Sequence, residues 1–193
     1  MIVDIVSFGI SCMSPVGHSL VGLAFAAMAM PLFASRKWQI GLPIVFVALA
    51  SLPDWPIPNW GHDRYDISHS IYVNTMLIGL SILLWRLIPS LRSSVPFQCV
   101  AFGTGAWLSH LILDSFYNHG RGVAIYWPFS DGRLNFSVPW FDTLDLTQSI
   151  ISRHNMSVYA IEFAAYLPVL LTGIMVAAMT KRRSPALRSE NTK

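Results

Sequence analysis

Long apolar stretches run through this chain, broken by short polar punctuation, and their lengths predict helices that cross a bilayer. A crossing takes about 20 residues. Five stretches qualify or nearly so: 16–34, 38–52, 70–88, 95–116 and 157–180. The first carries Pro31 near its end. The second is short, reaching only about 22 Å at helical rise, and it contains Gly41 and Pro43, so it reads as a short tilted span or a re-entrant piece. Between the fourth and fifth stretches lies a polar-to-aromatic segment, 117–156. Connections beyond about 15 residues are usually functional or disordered. This one is rich in Trp, Phe and Pro, which predicts a folded outer loop that closes over one end of the helices as a lid.

Composition agrees with the pattern. The 193 residues are 53% hydrophobic, with mean hydropathy +0.50 and only 12% charged, where a soluble domain carries about 25% charged residues. The expectation is one all-α, polytopic membrane domain over 1–193, with the lipid bilayer as its partner and no nucleic acid. Cys12 and Cys99 form no CxxC pair, so neither a disulfide framework nor a thiolate metal site is implied. The N-terminus has no basic region and carries Asp4, so it does not read as a cleavable signal peptide.

The positions of the charges add a topology. If all five stretches cross, Arg36, Lys37, Arg86, Arg92, Lys181, Arg182, Arg183, Arg188 and Lys193 fall on one side. Arg64, Arg121, Arg133 and Arg153 fall on the other, among the aspartates. The positive-inside rule then puts the N-terminus outside and the basic tail, 181–193, in the cytoplasm of a bacterial cell. Without a crossing at 38–52, Arg36 and Lys37 would lie opposite the C-terminal cluster. The same map puts Cys12 outside and Cys99 inside, so they cannot pair within one chain.

This topology gathers five ionisable residues. His18 opens the first span, Asp54 closes the second, His69 opens the third, and His110 and Asp114 close the fourth, all on the outer side. An ionisable residue at such depth points to function, and imidazoles with carboxylates are a transition-metal ligand set. His110 and Asp114, four apart, share one helix face. His69 sits at a helix start, where the dipole disfavours its protonated form, and Asp54 follows Pro53 in a stiff turn. Each has a plainer reading: an interhelical hydrogen bond for His18, an i,i+4 bond for the pair, a turn cap for Asp54. His62 and His119 read as solvated loop residues, His154 as interfacial, and the tryptophans as membrane anchors. In the outer loop, Arg121 and Arg133 suit an anionic substrate group such as phosphate or, equally, lipid headgroups.

Taken together, Gly17-His18, Leu52-Pro53-Asp54, Ser68-His69-Ser70, His110-Leu111-Ile112-Leu113-Asp114 and Trp127-Pro128-Phe129-Ser130 form a pattern that resembles the bacterial inner-membrane metal-dependent hydrolases, including the LexA-regulated type. The resemblance covers about residues 14–145 and implies a helical membrane protein with metal ligands at His18, Asp54, His69, His110 and Asp114. Two positions depart from the family pattern: Arg64 stands where a histidine is frequent, and Ser68 where threonine is usual.

The expected chemistry is hydrolysis by a metal-activated water, with Zn²⁺ as the first choice of metal and Mn²⁺ or Fe²⁺ as alternatives. Asp54 or Asp66 would be the general base. A site at headgroup depth favours a lipid or a lipid-linked phosphoester. The competing expectation is a non-catalytic metal site that staples helix ends, senses metal or transports it. Few polar residues cross the spans, Glu162 being the main buried-looking charge, which counts against an ion path.

Overall fold

A computed structural model describes residues 11–12, 15–33, 35–118, 122–136 and 138–183. Asp4, His119, Arg121, Arg188 and Lys193 lie outside these residues. The chain is mostly helical. Helix α1 spans Pro15–Ala29 and continues as a 3₁₀ turn through Leu32; α2 spans Arg36–Ala50 and leads into a 3₁₀ turn over Leu52–Asp54. A 3₁₀ turn over Gly61–Arg64 runs into the one-turn helix α3, Tyr65–Ser68. Then follow α4 (Ile71–Leu87), α5 (Pro89–Ser94), α6 (Phe97–Asp114) and α7 (Arg153–Arg183).

Four of the five predicted stretches match helices to within a few residues. The fifth helix is longer than expected because Arg153–Met156 and the basic residues Lys181–Arg183 are drawn into it. The short helices α3 and α5 were not expected, nor was the pairing of Ser11–Cys12 (β1) with Leu144–Asp145 (β2). Among the described residues, two helices are long and apolar enough to cross a membrane, Pro15–Leu32 and Arg153–Arg182; Ile71–Leu87 is apolar but shorter. Helix α2 falls short in length, as its pattern predicts, and Gly103-Thr104-Gly105 dilutes the apolar run of α6.

Helix α1 is the centre of the bundle, packed on α7, α2 and α6. Small residues let the backbones approach, the usual means of helix association in lipid. A Cβ on Gly22 would lie 2.8 Å from the Phe46 carbonyl oxygen, and one on Gly173 would lie 2.6 Å from that of Ala24. Gly17 meets Glu162 and Tyr166 of α7, and Ala24 meets Gly173, so α1 and α7 run parallel. The core between α1, α2 and α6 is built from Ala26, Ala29, Phe46, Ala50 and Ala106. By contrast α4 and α7 present Met76, Leu83, Leu87, Leu171 and Met175 outward. An apolar surface of that extent belongs against lipid or another protein.

The long connection from α6 to α7 is ordered over its described residues. Its amides bond to the end of α6, Phe136 N–H to Ser115 O at 2.7 Å and Val138 N–H to Phe116 O at 2.9 Å. It also reaches the start of α4, where Ile71 N–H donates to Ile125 O and the Ser70 hydroxyl donates to the Trp127 carbonyl. Near α7, Asn155 bridges Asp145 and Ser149, and donors on Thr147 and Gln148 hold the Asp145 carboxyl below its usual range.

The tight helix contacts give a test. Gly173→Ala pushes a methyl into the α1 backbone and is expected to destabilise the protein by about 1–3 kcal/mol, read as a lowered midpoint of thermal unfolding in detergent. Gly79→Ala, where nothing lies within 4 Å, is expected to leave that midpoint unchanged or slightly raised.

Candidate metal centre

Three chain segments converge at one end of the bundle. The turn after α2 carries Asp54, the cap of α3 carries His69, and the last turn of α6 carries His110 and Asp114. One donor atom from each of these four lies within 4.8 Å of every other. His69 Nε2 is 2.8 Å from Asp114 Oδ2 and 3.3 Å from Asp54 Oδ1. His110 Nε2 is 3.2 Å from Asp114 Oδ2, 3.6 Å from Asp54 Oδ1 and 3.2 Å from His69 Nε2. Tetrahedral ligands at about 2.0–2.2 Å from a metal stand roughly 3.3–3.6 Å apart. The observed spacing brackets that value.

Hydrogen bonds behind the imidazoles decide which nitrogen faces the cluster. His110 Nδ1 is 2.8 Å from the Ala50 carbonyl oxygen, which can only accept, so Nδ1 carries the proton. His69 Nδ1 faces the Tyr65 carbonyl at 3.2 Å and the Ser68 hydroxyl at 2.8 Å, and that hydroxyl donates onward to Gly61 O. In their neutral forms both rings therefore turn an Nε2 lone pair inward, the orientation that second-shell acceptors impose on ligating histidines. Two inward lone pairs and two carboxylates make an electron-rich, buried centre. Such a centre is costly unless a cation neutralises it.

The other expected site residues are placed as follows. His18 is buried beside the group: its ring stacks on His110 with centroids 4.2 Å apart, and its Nε2 lies 3.2 Å from Asp114 Oδ1. Neither of these two atoms makes a hydrogen bond, as facing donors aimed at a shared cation would not. Asp66 is half-exposed and pairs with Arg133 at 3.3 Å, outside the donor group. Arg133 also donates to Gly122 O within the outer loop, while its pairing with Asp66 ties that loop to α3. Arg121 falls outside the described residues, and His154 Nε2 donates to Thr143 O in the loop at 3.0 Å.

Three supports were not anticipated. Asn74 of α4 donates to both Ser68 O and Ser70 O at 2.7 Å and accepts from the Trp107 indole at 2.7 Å, locking the His69 corner to α6. Trp107 is thus an interior partner and not a membrane anchor. Tyr65 stacks on His69 with centroids 3.8 Å apart. Glu162 of α7, 1% exposed, accepts from the Gly17 amide at 2.8 Å and so caps the start of α1 next to His18. A lone asparagine in an apolar stretch, four residues past Ser70, was the available signal for the first. Nothing in the spacing joins Glu162 to Gly17.

The fold and site define a helical membrane protein with a buried histidine–aspartate donor cluster at one end of its bundle. The chain belongs to the YdjM inner membrane protein family, whose model matches residues 13–184. That membership places it in the bacterial inner membrane. No curated protein and no solved structure matches it.

Purified protein is expected to carry about one divalent ion per chain by elemental analysis. His110→Ala is expected to lose it, whereas Asp66→Ala keeps it; unchanged metal in the His110 variant would remove the ligand assignment. Asn74→Ala, which leaves Trp107 and two carbonyls short of a partner, is expected to cost about 1–3 kcal/mol and to weaken metal retention on dialysis.

Proposed function

We propose that this protein is a metal-dependent hydrolase of the bacterial inner membrane, with its site near the outer face and a lipid or lipid-linked phosphoester as substrate. The observation that carries this reading is the buried, closely spaced Asp54–His69–His110–Asp114 group, with both imidazole Nε2 atoms turned inward. His18 completes the donor set through Asp114. Two imidazoles and two carboxylates suit Zn²⁺ first, then Mn²⁺ or Fe²⁺. A divalent ion held there supplies Lewis acidity and a water acidified towards neutrality.

The chain's own residues do the rest. Asp54, the partly accessible member of the group, would be the residue to take up a proton from the attacking water. The water oxygen bonds to phosphorus, the bond to the leaving alcohol breaks, and the alcohol oxygen takes up a proton. Asp66 is better suited to holding Arg133 than to acting as base. Arg133, and Arg121 with it, would meet the anionic group, and the outer loop docked on α4 and α6 would act as the lid.

In this reading α1, α2, α4, α6 and α7 all cross the bilayer, which would put the site on the outer side. The parallel run of α1 and α7 is what the first and last of five alternating spans require. The basic residues Arg36, Lys37, Arg86, Arg92 and Lys181–Arg183 then share the cytoplasmic side with the C-terminus. The competing staple is supported by the full burial of His69, His110 and Asp114. A closed shell of four protein ligands is the mark of a structural site, and the accessibility of Asp54 speaks for an open one.

Two experiments test this reading. A screen of lipid phosphoesters in detergent is expected to show turnover that a chelator abolishes and Zn²⁺ restores. Absent or chelator-insensitive turnover across phosphoester, ester and amide substrates would favour the staple. For topology, an impermeant thiol reagent added outside intact spheroplasts is expected to label Cys12 and not Cys99; the reverse would invert the orientation.

A further inference from the structure

Glu162 stands well inside α7, between apolar neighbours, and is 1% exposed. A carboxyl at such depth is costly unless hydrogen bonds hold it, and no step of the hydrolysis uses it. Its Oε2 accepts from the Gly17 amide at 2.8 Å. Gly17 is the third residue of α1, where an amide has no carbonyl of its own helix to bond. A side chain of α7 thus supplies the acceptor that the first turn of α1 lacks.

Two further contacts make this a junction. Tyr166, one turn on from Glu162, lays its ring against Gly17: a Cβ there would be 2.7 Å from Tyr166 Cε2 and 3.3 Å from Glu162 Oε2. Glycine at this position is what lets α7 come so close. Tyr117, fully buried three residues past Asp114, lies beside Glu162. The start of α1, the middle of α7 and the segment just after α6 therefore meet at one carboxyl.

His18 follows Gly17 directly. Its ring stacks on His110 with centroids 4.2 Å apart, and its Nε2 lies 3.2 Å from Asp114 Oδ1. It differs from the other two imidazoles of the site in one respect. His69 and His110 each have a backbone carbonyl behind Nδ1 that orients the ring, whereas His18 Nδ1 makes no hydrogen bond. The placement of His18 must then come from its backbone, which is the turn that Glu162 holds. We propose that Glu162 is a positioning residue of the metal centre: through the Gly17 amide it fixes the first turn of α1 where His18 meets His110 and Asp114. The proposal rests on the metal-centre part of the hydrolase reading and deepens it by naming what orients its fifth donor.

The first test reads Zn²⁺ affinity of the full chain in detergent, by competition with a chromophoric chelator. Glu162→Ala is expected to weaken binding by about tenfold or more, the usual effect of losing a partner behind a metal ligand. Glu162→Gln, whose amide oxygen can still accept from Gly17, is expected to stay near wild type. In a His18→Ala background Glu162→Ala is expected to add no further loss, because the two residues act as one unit. Equal losses in the Ala and Gln variants, or a full loss that persists without His18, would overturn the proposal. Should Glu162→Ala not fold, Glu162→Asp takes its place with the same expectations, its carboxyl being one methylene short of Gly17.

A second readout needs no metal. In chelator-treated protein carrying ¹³C-labelled histidine, the Cε1–H signal of His18 is identified by its loss in His18→Ala and carries the ring-current shift of stacking on His110. It is expected to move in Glu162→Ala and to hold its place in Glu162→Gln. If the wild type binds no Zn²⁺, the metal reading fails and this signal decides the positioning on its own. A signal that stays put in Glu162→Ala would show that Glu162 does not place His18.

Discussion

The structure turns on the meeting of two carboxylates and two imidazoles in the dry interior of a helix bundle. Asp54, His69, His110 and Asp114 come from three separate chain segments, and the donor atoms they present are a set that one cation could share. Charge of one sign in a buried place is among the most expensive arrangements a protein can keep. Much of the surrounding fold serves to hold it. Ala50 O and Tyr65 O fix the proton on the outer nitrogen of each ring. Asn74 joins the His69 corner to α6. Glu162 reaches from α7 to cap α1 beside His18.

The helices can be understood from the same requirement. Their apolar faces leave little freedom to place polar groups along the spans, so chemistry collects at the ends, where turns, caps and the ordered loop supply hydrogen-bonding partners. Close packing at Gly22 and Gly173 sets the height of α1 against α2 and α7. That height places His18 against His110.

Much of this was legible from residue order alone, for physical reasons. Apolar length and the spacing of basic clusters yielded the major helices, because a bilayer constrains both strongly. The i,i+4 relation of His110 and Asp114 survives in any helix, so that half of the site could be read directly. The Leu52-Pro53-Asp54 turn behaved as a proline turn should. What stayed hidden depends on tertiary approach. The pairing of Asp66 with Arg133 draws Asp66 away from the donors, and it follows from how the outer loop docks on α3. Trp107 resembled a membrane anchor until α4 brought Asn74 against its indole. Glu162 was visible as a buried charge, but its partner lies 145 residues away in the chain. The short helices α3 and α5 carry too little periodicity to be read.

The central claim is that the four donors share one divalent ion, and X-ray absorption at the metal edge tests it most directly. The account predicts a first shell of nitrogen and oxygen at about 2.0–2.2 Å, with the outer-shell scattering of two or more imidazoles and no sulfur. In Asp66→Ala the spectrum should be unchanged, and in His69→Ala one imidazole contribution should disappear. A shell of water oxygens alone, or a spectrum indifferent to His69→Ala, would contradict the assignment of the metal to this cluster.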